Sequence, residues 1–219
     1  MPVSDPLIAI DLSSRQGTLA LKLRGEIWAE SLPEGRHSET LIGTLERLLN
    51  QHKVPLSDIS AWVLPAGPGS FTGLRIALAS VKAMVLANPR PIYVVDGSEA
   101  RALGLEFRAG EKISVLTELT ARRWLEAPFE ATSNEQLLAL GPARSLPEGW
   151  EPMAGIRWIC DEGIARALKQ TTIETILLAS SARGLLQNFL RCTSLRKIEN
   201  EREVFELTPD YAGTSRFAE

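Results

Sequence analysis

Gly67-Pro68-Gly69-Ser70-Phe71-Thr72-Gly73-Leu74-Arg75-Ile76 is the stretch from which the rest of this chain is read. An apolar run at 59–64 leads into it, and an apolar pattern of helical period, 72–87, leads out. Its glycines are spaced G-x-G-x-x-x-G. Bare backbone amides at a helix N-terminus suit an anion; the same glycines equally serve a tight turn and close packing of helix on strand. No Lys-Ser/Thr pair follows the last glycine, so this is no P-loop. The spacing also departs from the dinucleotide fingerprint, and no carboxylate is placed to hold a ribose. Ser70 lacks the G-x-S-x-G elbow of a nucleophile. The two histidines, His37 and His52, both fall on an earlier helix.

Working outward from the loop, residues 7–11, 18–23 and 26–32 read as strands, with a hairpin turn at Arg24-Gly25. A helix over 37–52 follows, with Leu41, Leu45, Leu48 and Leu49 at helical spacing, ended by Pro55. The helix after the loop stops at Pro89 and Pro91, and strand 92–95 ends at Asp96-Gly97. The order βββαβαβ predicts a mixed sheet flanked by helices. Beyond Ser98 the pattern changes. It gives a short helix to 105, strands at 112–118 and 123–127, a helix at 134–140 and a Pro/Gly-rich loop to 155. A strand at 156–160, helices at 161–170 and 174–191, and a charged tail from 194 complete it. The chain therefore divides into an N-terminal lobe, 1–98, and a smaller, divergent C-terminal lobe, 99–219.

The chain has 219 residues, of which 44% are hydrophobic and 23% charged, which excludes disordered and fibrous classes. Asp+Glu number 27 against 24 Lys+Arg, for a net charge of -3, so contact with nucleic acid is expected only through a partner. Two cysteines, Cys160 and Cys192, make no disulfide framework and fit a reducing cytosol. Met1–Asp11 lacks a basic region, so no signal peptide is expected. Arg75 and Lys82 interrupt the longest apolar stretch, so no membrane span is expected either. The protein is expected in the cytoplasm. No His or Cys spacing suits a metal. The helix at 72–87 carries two stripes, Leu74, Leu78, Val81, Val85 and Ile76, Ser80, Ala83, Ala87. A helix apolar on two sides is buried on two sides. One side meets its own sheet. The other meets the first helix, or a partner's helix packed over the small residues.

Ile8-Ala9-Ile10-Asp11, His37-Ser38 and the ten-residue loop resemble the bacterial tRNA threonylcarbamoyladenosine biosynthesis protein TsaB (YeaZ) family, over residues 7–98. The family's Asp-Ala-Arg…Glu-Val-Tyr hairpin is absent from 118–125, and its Pro-x-Tyr-Leu-Arg ending survives only as Pro209-Asp210-Tyr211. The resemblance implies an α/β protein of two RNase H-like lobes of the actin/sugar-kinase/Hsp70 (ASKHA) superfamily, the second lobe reduced. It implies a non-catalytic scaffold subunit of the tRNA threonylcarbamoyladenosine (t6A) complex. Such a subunit supports TsaD, which modifies the adenine beside the anticodon of tRNAs reading codons that begin with A. A TsaE ATPase joins the assembly, tRNA is met only through the complex, and the chain alone forms a homodimer. No cofactor is its own; ATP and metal belong to partner subunits. The partner face carried over comprises His37, Leu41, Leu45, Leu48, Arg75, Ile76, Ala79, Ser80, Ala83 and Ala87. Gly67, Pro68, Gly69, Ser70, Phe71, Thr72 and Gly73 form the signature loop. Asp11, Ser13 and Ser14 stand where related folds cradle phosphate, as a vestigial nucleotide site, although no glycine follows Asp11 until Gly17. The competing readings are an ATP-binding kinase-like enzyme working at Asp11 and the loop, a glycoprotease-like enzyme, and an α/β interaction module with a different partner.

Overall fold

All five residues of β1 (Leu7–Asp11) are buried. Leu7 and Ala9 point into one apolar cluster, Ile8 and Ile10 into another on the opposite side. A strand buried on both faces belongs in the middle of a sheet covered twice. β1 pairs antiparallel with β2 (Thr18–Leu23) and parallel with β4 (Ala61–Gly67). β3 (Glu26–Ser31) lies outside β2, joined to it by Arg24 and Gly25, both at positive φ as a two-residue hairpin requires. β5 (Ile92–Asp96) runs parallel to β4. The structure is a computed structural model that describes residues 3–120, 123–160, 164–165, 174–175 and 181–209.

Two helices cover one face of this sheet. α1 (His37–Gln51) turns Leu41, Leu45, Leu48 and Leu49 onto it, and α2 (Phe71–Ala87) turns Ala77, Val81 and Val85. Both match their expected ranges to within a residue. A short α3 (Gly97–Ala102) then leads to the second sheet, built from β6 (Lys112–Thr120), β7 (Arg123–Ala131), β8 (Leu137–Ala139), β9 (Arg144–Ser145), β10 (Arg157–Cys160) and β11 (Glu174–Thr175). Its order, β11-β10-β6-β7-β8, repeats β5-β4-β1-β2-β3 of the first sheet, with the same parallel and antiparallel senses. The two lobes therefore share one topology. The second is reduced in its covering: residues 140–156, where α1 would stand, hold only β9 and turns. Trp150 packs edge-on against Trp158, 4.8 Å between ring centres, with Leu146 and Trp124 in the same cluster.

Several expected elements are corrected. The helix at 134–140 is the strand β8, because pairing with β7 outweighs its local leucine spacing. The helix over 174–191 begins instead as β11, and its described helical part is α4 (Ser181–Asn188). Of the helix at 161–170, Ile164 and Ala165 are helical and the rest lies outside the described residues. The charged tail contains β12 (Arg196–Ile198) and α5 (Glu201–Glu206).

From α4 onward the chain leaves the second sheet and returns to the first. Ala182 N donates to Thr18 Oγ1 at 3.0 Å, and Ala182, Leu185 and Leu186 join Leu7, Ala9 and Ala20 in the cluster between the sheets. β12 pairs antiparallel with β5. Lys82 Nζ on α2 donates to the carbonyls of Phe205 and Leu207, 2.9 and 2.7 Å, and holds α5 in place. A division after residue 98 separates the two sheets but not these returning elements.

Glu99 fastens the return. It is buried, and its carboxylate accepts from Thr193 N (2.6 Å), Thr193 Oγ1 (2.7 Å), Ser194 N (3.1 Å) and Ser194 Oγ. Removing a charged acceptor of four donors costs more than one ordinary hydrogen bond. Glu99→Ala is expected to lower stability by about 3 kcal/mol, with Glu99→Gln between it and the parent, read as urea-unfolding midpoints.

Candidate functional site

The glycine loop folds onto the end of β1. Ser70 caps α2, its Oγ accepting from Gly73 N at 3.2 Å, and Ser70 N donates to Ser13 O at 2.7 Å. A Cβ placed on Gly73 would lie 1.8 Å from the Leu12 carbonyl oxygen, and one on Gly69 2.5 Å from Ser13 O. The glycines let the first turn of α2 touch the β1 end backbone to backbone, which is the packing alternative of the two left open by their spacing. Gly67 is bonded to Pro68 through a cis peptide, and both border the space between the sheets. The residues carried over as a vestigial nucleotide site turn inward: Asp11 and Ser13 are each 1% exposed. Asp11 Oδ1 accepts from Ser13 N at 2.8 Å, closing a turn on itself, and Ser14 Oγ donates to Gln16 O.

The residues carried over as a partner face divide between two environments. Leu41, Leu45 and Leu48 are at most 2% exposed and belong to the protein's own core, because α1 has a single apolar stripe and the sheet takes it. His37 is pinned to the first hairpin, where Gly17 N donates to its Nε2 at 3.1 Å. On α2, Arg75, Ala79, Ala83 and Ala87 are exposed, and Ile76 and Ser80 half-buried. They form one outward stripe, continued at its ends by Phe71 (52% exposed) and Leu86 (47%). Arg75 lies over the Phe71 ring, 5.1 Å from its centre. Leu86 is absent from the residues expected from sequence, and Phe71 is expected in the signature loop but not on the partner face. The helical period that gives Ala79 and Ala83 also gives Leu86, so the signal was present. Ile42, 47% exposed on α1, is the matching apolar residue there.

A cavity of about 400 Å³ lies between the two sheets. It opens at the C-terminal ends of β4 and β5 and is walled by Phe129 and Ala127 of β7, by Pro142, and by the 193–196 segment. Asp96 stands at its base. Its Oδ1 accepts from Ser98 N (2.7 Å) and Glu99 N (2.9 Å), capping α3. Burial pushes the Asp96 carboxyl up to about 6, against these two amides and Arg101, which favour its charged form; the nearby Glu99 adds to the rise. Burial also keeps the Cys192 thiol protonated well above its ordinary range, so Cys192 is no nucleophile. Among the described residues no group of three His, Cys, Asp or Glu is placed to hold a metal, and no helix is long and apolar enough to cross a membrane.

Two outcomes follow. Gly73→Ala is expected to destabilise the chain by more than about 3 kcal/mol, or to prevent folding, because the obstacle is backbone. Gly43→Ala, where nothing lies within 4 Å, is expected to stabilise by about 0.5–1 kcal/mol in the same thermal-unfolding series. A carboxyl raised from 3.8 to about 6 on folding supports the fold below its unfolded value, and that support is lost as pH rises through about 6. Asp96→Asn keeps the capping oxygen, so it is expected to be more stable than the parent by about 2–3 kcal/mol at pH 8. That gain should vanish as pH falls through 6 towards 4, as read by unfolding across pH.

The family model of TsaD, tRNA N6-adenosine threonylcarbamoyltransferase, matches residues 32–123. A TsaD of Brucella ovis is 36% identical over 67 residues, 31% of this chain and 19% of that protein. The tRNA threonylcarbamoyladenosine biosynthesis protein TsaB of Haemophilus influenzae is 25% identical over 117 residues, 53% of this chain and 49% of that protein. The chain is thus matched over about half the length of the TsaB relative and about a fifth of the transferase. YeaZ from Pseudomonas aeruginosa has the same fold, with a TM-score of 0.69 and 22% identity over 95% of this chain and all of that one. Both sheets carry one strand order, as expected of two RNase H-like lobes. The TsaB sequence match and the TsaD match, which spans the loop and its two flanking helices, make the chain similar to TsaB (YeaZ) and TsaD proteins.

Proposed function

We propose that this protein is the non-catalytic scaffold subunit of a t6A-forming complex, in which α2 docks against a TsaD-like transferase. The outward stripe of α2 carries the reading. Ala79 and Ala83 have no bulk, so a second helix can approach closely, and Phe71, Ile76 and Leu86 supply apolar area around them. The TsaD family model matches the half of the chain that bears this helix. Two chains that share that half offer each other related faces, as pairing about a two-fold or near-two-fold axis requires. The same face, used between identical chains, makes the homodimer of the isolated protein.

Catalysis belongs to the partner in this reading. The carboxylate at the end of β1 is spent on its own turn, so ATP and metal are assigned to the TsaD-like and TsaE-like subunits. The adenine of the tRNA is reached only through the complex, in keeping with a net charge of -3. The setting is the cytoplasm, where tRNA is modified.

The test is co-purification with the TsaD-like protein of the same organism, by size exclusion with light scattering. A one-to-one complex is expected. Ala83 is exposed, so Ala83→Glu is expected to change the chain's own stability by less than about 0.5 kcal/mol. It should weaken the complex at least ~100-fold, because a carboxylate would be buried without a mate. A variant that folds and pairs with unchanged affinity overturns the docking face. Failure of the parent chain to pair at all overturns the scaffold reading.

A further inference from the structure

We propose that the cavity between the two sheets binds a small organic ammonium compound, an apolar body bearing one amine that seats against Asp96. The inference stands apart from the docking face, which lies on the other side of the first sheet. A volume of about 400 Å³ falls in the range of small-molecule sites, and most of its lining is apolar, with Val95, Ala127, Phe129 and Pro142 contributing.

The polar end is defined by which acceptors remain. Glu99 also borders the cavity, but both of its oxygens are taken, Oε1 by Thr193 and Oε2 by Ser194. Asp96 Oδ1 is taken by two backbone amides. Asp96 lines the cavity, and its Oδ2 accepts no hydrogen bond from any described residue. A carboxylate oxygen left over in an apolar enclosure selects a donor, and a charged donor above a neutral one. The charged groups facing Asp96 are Glu99 and Arg101 from α3 and Arg196 from β12, with Arg191 beyond Cys192. Arg101 Nε donates to Gly97 O, while its Nη2 is buried without a partner among the described residues. Arg101 and Arg196 offset the two carboxylates in net charge, so the preference for an amine rests on the unfilled Asp96 oxygen as an acceptor.

The probes are 2-phenylethylamine, its neutral counterpart 2-phenylethanol and the anion 3-phenylpropionate. Each is titrated into the full chain by calorimetry and followed by NMR shifts of the β5–α3 amides. The amine is expected to bind at least about tenfold more tightly than the alcohol, and the anion not at all. Its affinity should fall as pH is lowered through about 6, where the Asp96 carboxyl takes up a proton. Asp96→Asn, which keeps the cap on α3, should erase the difference between amine and alcohol. Ala139→Trp, which fills the cavity without touching the cap, should abolish binding of both. The proposal is overturned if the three probes bind alike, if the amine fails to bind at millimolar concentration, or if its binding survives both substitutions.

Discussion

The carbonyl of Leu12 and the α-carbon of Gly73 are so close that no side chain fits between them. The position of α2 depends on that contact. With a Cβ there, the helix would have to lift from the sheet, and the burial of Ala77, Val81 and Val85 would go with it. α5 is tied to α2 through Lys82, so the end of the described chain would follow. The outward stripe of Arg75, Ala79 and Ala83 is thus aimed by a backbone contact on the far side of the same helix. A single hydrogen bond from Ser70 N to Ser13 O fixes the rotation of the loop that makes the approach.

The two sheets have one topology and different roofs. Over the first, α1 and α2 supply two long helices, and α2 has more apolar and small surface than its own sheet can cover. Over the second, a turn-rich segment at 140–156 and the Trp150–Trp158 pair stand in the place of α1. Among the described residues, long helices with free surface stand over the first sheet. The return of α4 and β12 to the first sheet, locked by Glu99, means that neither lobe is complete without residues from the end of the chain.

Local signals carried far in the first lobe because each element there is amphipathic at its own period and bounded by Pro or Gly. The second lobe was harder to read for the opposite reason. Residues 134–140 hold Leu137, Leu138 and Leu140, a spacing compatible with a helix turn, yet β7 offers an open edge and recruits Leu137–Ala139 as a strand. The leucines of α1 illustrate a different limit. Their periodicity gave a correct apolar face but not what covers it, since Leu41 against a sheet and Leu41 against a partner look alike in sequence. On α2 the small residues are equally ambiguous: Ala77 packs on the sheet while Ala83 faces outward. The cavity was invisible, being assembled from segments around 66–68, 94–99, 127–143 and 193–196 that no short-range pattern connects.

Asp11 and Asp96 end parallel strands on the same edge of one sheet, where ligands of such sheets ordinarily bind. Their surroundings send them to opposite ends of usefulness. Asp11 is enclosed: it is 1% exposed, its Oδ1 accepts from Ser13 N, and the glycine loop packs on the adjoining backbone. The residues that would have admitted a phosphate there are the ones that let α2 pack. Asp96 caps a helix with one oxygen and leaves the other without a bond at the base of a largely apolar cavity, and burial raises its pKa to about 6. A binding edge that is closed at β1 and open at β5 has no reason to keep the ligand class of the folds it resembles. The unfilled Asp96 oxygen favours a hydrogen-bond donor, and the loop that closes the β1 position is what holds α2 in place.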